Sequence, residues 1–168
     1  MRKKLIIIAV VAAVVTAGVY FGVFHGRQQV PVLEQGFGIW ESEIVIGDAA
    51  PGATGMVPLT ILCGKDYARN FTITLAQPSP NKVKDGYEAF PADCYDWITL
   101  PQEPIHVEAG SHQHLDIPFR VPYYNGYDEG TQFEARVRVA EVGQGGLVQL
   151  AVESKWYIII TATAAESA

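Results

Sequence analysis

Apolar positions along this chain follow two different patterns. Residues 5–24, LIIIAVVAAVVTAGVYFGVF, are uncharged throughout, with Thr16 as the one strongly polar position. Twenty residues at ~1.5 Å helical rise match the ~30 Å hydrocarbon of a bilayer. From residue 39 onward the pattern turns to alternation, the mark of half-buried strands. IWESEIVI (39–46) sets Trp40, Ser42, Ile44 and Ile46 on one face, and MVPLTILC (56–63) alternates Val57, Leu59, Ile61 and Cys63 against Met56, Pro58, Thr60 and Leu62. Pro58 cannot donate to a ladder, so an edge or a bulge is expected there. NFTITLA (70–76) points Phe71, Ile73 and Leu75 inward.

Residues 77–95, with three prolines, read as a long loop; then DWITL (96–100), IHVE (105–108), HQHLDIPFRV (112–121), TQFEARVRV (131–139) and LVQLAVESKWYIIITAT (147–163) read as further strands. In the last of these Trp156, Ile158 and Ile160 take one face and Tyr157, Ile159 and Thr161 the other. A strand apolar on both faces is covered on both, here by the 77–95 loop or by another protein. Seven or more short strands with turns between them, and no helix beyond the apolar run, predict an all-β fold. Its architecture is a β-sandwich preceded by one N-terminal transmembrane helix. The organisation expected is a basic tip (1–4), a span (5–24), a stalk (25–36), an ectodomain (37–164) and a tail (165–168).

Charge orients the span. Arg2, Lys3 and Lys4 directly precede it, so the N-terminus is cytoplasmic and the rest extracytoplasmic, in a single-pass cell-membrane protein. A cleaved secretory signal ending near Val15-Thr16-Ala17 is the alternative; the length of the run favours a retained signal anchor. After residue 24 the chain carries nine Lys/Arg against eighteen Asp/Glu, a formal charge of −9. That balance repels phosphate backbones and anionic headgroups, and argues against nucleic acid as a partner.

Cys63 and Cys94 fall in the exported part, where an oxidising compartment permits a disulfide between them. Two separate buried thiols are the alternative. Asn70-Phe71-Thr72 is a glycosylation sequon.

The stretch from 97 to 139 resembles bacterial and archaeal cell-surface immunoglobulin-like domains of the NEW3 and related fibronectin-like type. The matching elements are Trp97, the turn Ala109-Gly110-Ser111, the alternating Leu115, Ile117 and Phe119, then Val121-Pro122, Gly130 and Phe133. The likeness covers about forty residues. It implies an immunoglobulin-like antiparallel β-sandwich that serves as spacer, assembly module or ligand-binding appendage, with no shared catalytic residues.

Three of the four histidines lie in HVEAGSHQHLD (106–116). With Ala109-Gly110-Ser111 as a hairpin loop, His106 faces His114, with Glu108 and His112 one step along the same face. Opposed Cβ atoms are ~4.5–5.5 Å apart, so His106, His112 and His114 are a candidate zinc set. A solvated, histidine-rich face is the plainer reading. Acids at Glu41/Glu43, Asp93/Asp96 and Asp128/Glu129 lack the spacing of a calcium loop or of a general-acid pair. No nucleophile motif surrounds Ser111. No cofactor and no enzymatic activity are expected.

PYYNGYDEG (122–130) is the remaining signal. Tyr123, Tyr124 and Tyr127 make an amphipathic loop suited to protein or glycan contact, and Tyr157 is a fourth candidate. The function expected is a membrane-anchored module with a structural or protein-interaction role, as an accessory subunit of a membrane or cell-envelope assembly. The alternative is a ligand-binding module for glycan or metal.

Overall fold

The computed structural model describes residues 30–47, 49–79, 82–123, 126–143 and 148–161. The apolar run 5–24, the basic tip, His25, Tyr124 and the tail lie outside the described residues, and no described helix is long and apolar enough to cross a membrane. The chain divides into Met1–Pro31 and Val32–Ala168, and the second unit is the sandwich.

Among the described residues nine strands build it: β1 (Phe37–Ile39), β2 (Glu43–Ile46), β3 (Thr54–Cys63), β4 (Arg69–Ala76), β5 (Glu88–Ala89), β6 (Ile105–Val107), β7 (His112–Arg120), β8 (Gln132–Val142) and β9 (Val148–Ile159). One sheet runs β1-β3-β7, the other β2-β9-β8-β4-β6, with β5 alongside β8. The alternating positions read from the sequence meet between the sheets. Val57, Leu59, Ile61, Phe71, Ile73, Ile117, Phe119, Phe133, Val137, Val139, Trp156 and Ile158 form one buried cluster.

Three features depart from the expectation. The predicted strand 39–46 is broken, because the chain leaves one sheet for the other at Glu41. Trp40 N–H still donates to Thr60 O on β3, whereas Ser42 O accepts from Lys155 N–H on β9. One carboxylate repairs the break: Glu41 Oε2 accepts from Thr60 N–H at 2.6 Å, taking the place of the next residue of β1. The sandwich is also not purely antiparallel, since β2 runs parallel to β9 and β5 parallel to β8. Lastly, 96–100 is not a strand. Residues Ala92–Trp97 form a 3-10 helix entered through Pro91, and Ile98 makes a single bridge to Phe119.

Pro58 sits where the sequence placed it, at an edge. β1 reaches only Ile61–Cys63, so β3 before Thr60 has β7 on one side and no described strand on the other. The final segment is one long strand, and the 77–95 loop covers its outer face at Tyr157, while Ala151 and Glu153 on that face stay exposed. Tyr87 packs on Tyr157 with ring centroids 5.1 Å apart, and Lys84 Nζ stands 4.4 Å from the Tyr157 ring.

Candidate functional site

The tyrosine loop separates into parts with different surroundings. Tyr123 is 77% exposed. Its ring lies over Gly52, whose φ is +81° and where an added Cβ would stand 2.6 Å from the ring. Only glycine allows that approach and that backbone conformation. Tyr127 turns inward instead. Its ring meets Phe133 edge-on at 4.8 Å and Trp97 at 6.1 Å, and its hydroxyl is hydrogen-bonded with Cys94 Sγ at 3.4 Å. That bond, together with burial, pushes the Tyr127 hydroxyl up to about 12. Tyr157 is buried at 5% exposure under Tyr87, with its hydroxyl 3.5 Å from Glu43 Oε1. Of the four tyrosines proposed for contact, Tyr123 is open to a partner, Tyr127 and Tyr157 are built into the fold, and Tyr124 lies outside the described residues.

The histidines are not brought together. β6 pairs with β4, setting His106 opposite Asn70, while β7 pairs with β3, setting His114 opposite Thr60. The turn between them, with Gly110 at φ +70° and Ser111 N–H donating to Glu108 O, crosses from one sheet to the other rather than closing a hairpin. Period-two alternation is the same for either connection, so it could not distinguish them. His106 Nδ1 lies 2.9 Å from Asn70 Oδ1, and His114 Nδ1 3.1 Å from Thr60 Oγ1. Among the described residues no three His, Cys, Asp or Glu side chains gather as metal ligands. Asn70, the sequon residue, is exposed on β4 beside His106.

The cysteines are likewise apart, and both are free thiols. Cys63 closes β3 and donates to Tyr67 O at 3.3 Å. Cys94 lies in the 3-10 helix, whose end bridges to Phe119, opposite Gly55 at the other end of β3. Eight residue steps, from Gly55 to Cys63, separate those ends, about 25 Å. A disulfide requires Cα atoms within ~7 Å. Burial pushes the Cys94 thiol upward.

Two buried ionic clusters escaped the sequence reading, because a lone Arg or Glu in an alternating strand looks solvent-facing. Arg69 donates to Asp66 through both terminal nitrogens at 2.8 and 2.6 Å, with Glu141 3.4 Å from its Nε and the Tyr67 ring 3.8 Å from its Cζ. The guanidinium holds the Asp66 carboxyl well below the usual carboxylate range. Glu134 is 1% exposed on β8. It accepts from Arg136 at 2.7 Å and from Lys84 N–H at 2.8 Å, while Arg136 also donates to Lys82 O. Each cluster fastens a loop to a strand. In the first cluster Arg69 Nε has no hydrogen-bond partner among the described residues, and Tyr67, Arg69 and Glu141 line a groove of about 440 Å³.

No family model matches the chain, and no curated protein does; the finer NEW3-type assignment therefore gains no support. Among solved structures the chain is similar to the ASH/PapD-like domain of human CEP192 (PapD-like domain 7). That pair shares 13% identity at TM-score 0.53, over 82% of this chain and 92% of that one. It is also similar to the E. coli chaperone DraB and to the periplasmic chaperone SfaE, each at 12% identity and TM-score 0.45. These two matches cover 79% and 76% of this chain but only 58% of each chaperone. The likeness to the CEP192 domain establishes the immunoglobulin-like β-sandwich of this chain.

Proposed function

We propose that this chain is a membrane-anchored, extracytoplasmic immunoglobulin-like module with a structural or protein-interaction role. In this reading it is not an enzyme, and it serves as an accessory subunit of a membrane or cell-envelope assembly. The observation that carries the reading is how the polar and aromatic groups are divided. The buried charges Arg69, Glu134 and Glu141 and the half-buried Arg136 are committed to holding loops, whereas Tyr123 and Trp40 stand at the surface. Exposed aromatics on a rigid sandwich favour contact, since they bring large area at low entropic cost. The run 5–24 with Arg2, Lys3 and Lys4 before it supports the anchor and its orientation.

The test is extraction of the full-length protein from its native membrane in mild detergent, followed by native mass spectrometry. Stoichiometric companion chains are expected, and Tyr123→Ala should reduce their recovery without moving the unfolding midpoint. A chain that extracts alone at every detergent strength overturns the reading.

A further inference from the structure

Each of the two histidines held on opposite sheets has an acid two places on: His106 has Glu108, and His114 has Asp116. Residues two apart in a strand share a face. The second pair has a geometry that an ordinary surface ion pair does not need.

Its ring is set by what lies behind it. Thr60, opposite His114 in register, has a single hydroxyl proton. That proton goes to Glu41 Oε1 at 3.0 Å, and Glu41 is held in place because its other oxygen takes Thr60 N–H. A carboxylate offers acceptors only. Thr60 Oγ1 therefore accepts from the His114 ring, whose Nδ1 lies 3.1 Å away. Nδ1 carries the hydrogen, which leaves a lone pair on Nε2 of the neutral ring. Metal-ligating histidines are oriented in this way, by a partner on one ring nitrogen that fixes the tautomer and leaves the other nitrogen for the metal.

The lone pair meets a carboxylate at the right spacing. His114 Nε2 is 3.4 Å from Asp116 Oδ1. A charge-assisted hydrogen bond would close to ~2.7–2.9 Å. Two ligands at adjacent corners of a zinc tetrahedron stand about 3.3–3.6 Å apart, given metal–ligand bonds of ~2.0–2.2 Å. Asp116 has no charged partner but His114 among the described residues, and across β3 it faces Pro58, whose side chain has no donor. The two side chains are 54% and 65% exposed, so a hydrated ion reaches both.

The pair on the other sheet is different in kind. His106 Nε2 is hydrogen-bonded to Glu108, and its Nδ1 rests on the Asn70 amide, a group that can present either an oxygen or an NH2 to the ring. Nothing there fixes the tautomer.

We infer that His114 Nε2 and Asp116 Oδ1 bind a zinc ion on the solvent face of β7, with Thr60 and Glu41 as positioning residues behind the ring. Among the described residues no third His, Cys, Asp or Glu joins them, so water completes the coordination. A neutral imidazole and a carboxylate oxygen are both ordinary zinc ligands. The site is independent of the interaction role proposed for the chain and does not use Tyr123.

The test is calorimetric titration of the full-length chain in detergent with zinc chloride. Saturable uptake is expected. His114→Ala and Asp116→Asn should each abolish that uptake while leaving the zinc-free unfolding midpoint near that of the wild type, since both side chains are exposed. Thr60→Val should weaken it about tenfold, a usual loss when the partner behind a ligand is removed. His106→Ala should leave it unchanged. A second measurement needs no substitution. Nitrogen-15 NMR of the zinc-free chain at pH ~8.5, well above the ordinary imidazole value of ~6.5, should find His114 as the Nδ1–H tautomer, and added zinc should shift its Nε2 signal. The Nε2–H tautomer at His114 overturns the proposal. So does an absence of saturable uptake, or uptake that survives His114→Ala or Asp116→Asn or is lost in His106→Ala. Full affinity in Thr60→Val overturns the positioning role.

Discussion

Glu134 Oε2 accepts the backbone N–H of Lys84 at 2.8 Å, joining two residues fifty positions apart. Through this bond and the Arg136 donation to Lys82 O, the 77–90 segment is held across the outer face of β8 and β9, where it covers Tyr157. Glu134→Ala leaves Arg136 with Glu153 as its carboxylate partner and removes the tie to Lys84, loosening the loop. The expected cost is about 3 kcal/mol, typical of breaking a buried pair by removing one partner. Urea unfolding measures it, and limited proteolysis should cut first between 77 and 90.

At alkaline pH the contact between Cys94 and Tyr127 becomes a liability. Tyr127 is raised from 10.0 to about 12 in the folded protein, and Cys94 is raised as well. The unfolded chain therefore loses these protons first, so their contribution is full below pH ~9, where the unfolded thiol starts to ionise, and is lost as pH rises through about 12. Tyr127→Phe should flatten that fall in thermal melts across the range.

In acid the sign reverses. The Arg69 guanidinium depresses the Asp66 carboxyl, so the contribution of this pair is present above the unfolded value of 3.8 and is lost as pH drops below it. Asp66→Asn should remove that part of the acid slope, again read by melts.

His106 and His114 lie on different sheets, so their substitutions should be independent. A double-mutant cycle of His106→Ala and His114→Ala is expected to show a coupling within about 0.5 kcal/mol, the additivity of separated sites. Facing residues of a hairpin would couple more strongly.

Non-reducing electrophoresis of protein purified in air, with thiols blocked in denaturant, should find both cysteines alkylated. In the native protein both are buried and should label slowly. An intramolecular Cys63–Cys94 disulfide would contradict the separation of the two ends of β3.

The inward positions were legible because alternation reflects a local property. Successive side chains of a strand point to opposite faces whatever the partner strand is. Val57, Leu59 and Ile61, or Phe133, Val137 and Val139, could thus be assigned to a core before any fold was known. The edge at Pro58 was legible for a similar reason, since the missing donor belongs to the residue itself. The double-sided burial of the last strand was also visible at Trp156 and Tyr157. The 77–95 loop was one of the two covers read for that strand, and Tyr87, seventy residues before Tyr157, decides between them.

By itself, then, the sequence determined the all-β class, the identity of the core, the twenty-residue apolar run and the acidic balance of the residues after it. Each depends on composition or on a period of two. Tertiary structure alone decided the pairings: β6 with β4 and β7 with β3, a first strand split between sheets, and Arg69 and Glu134 sealed inside ion pairs. It also kept Cys63 from Cys94 and His106 from His114. A turn of the same length serves a hairpin or a crossing between sheets equally well, and the choice is made by which edges the rest of the chain has left free.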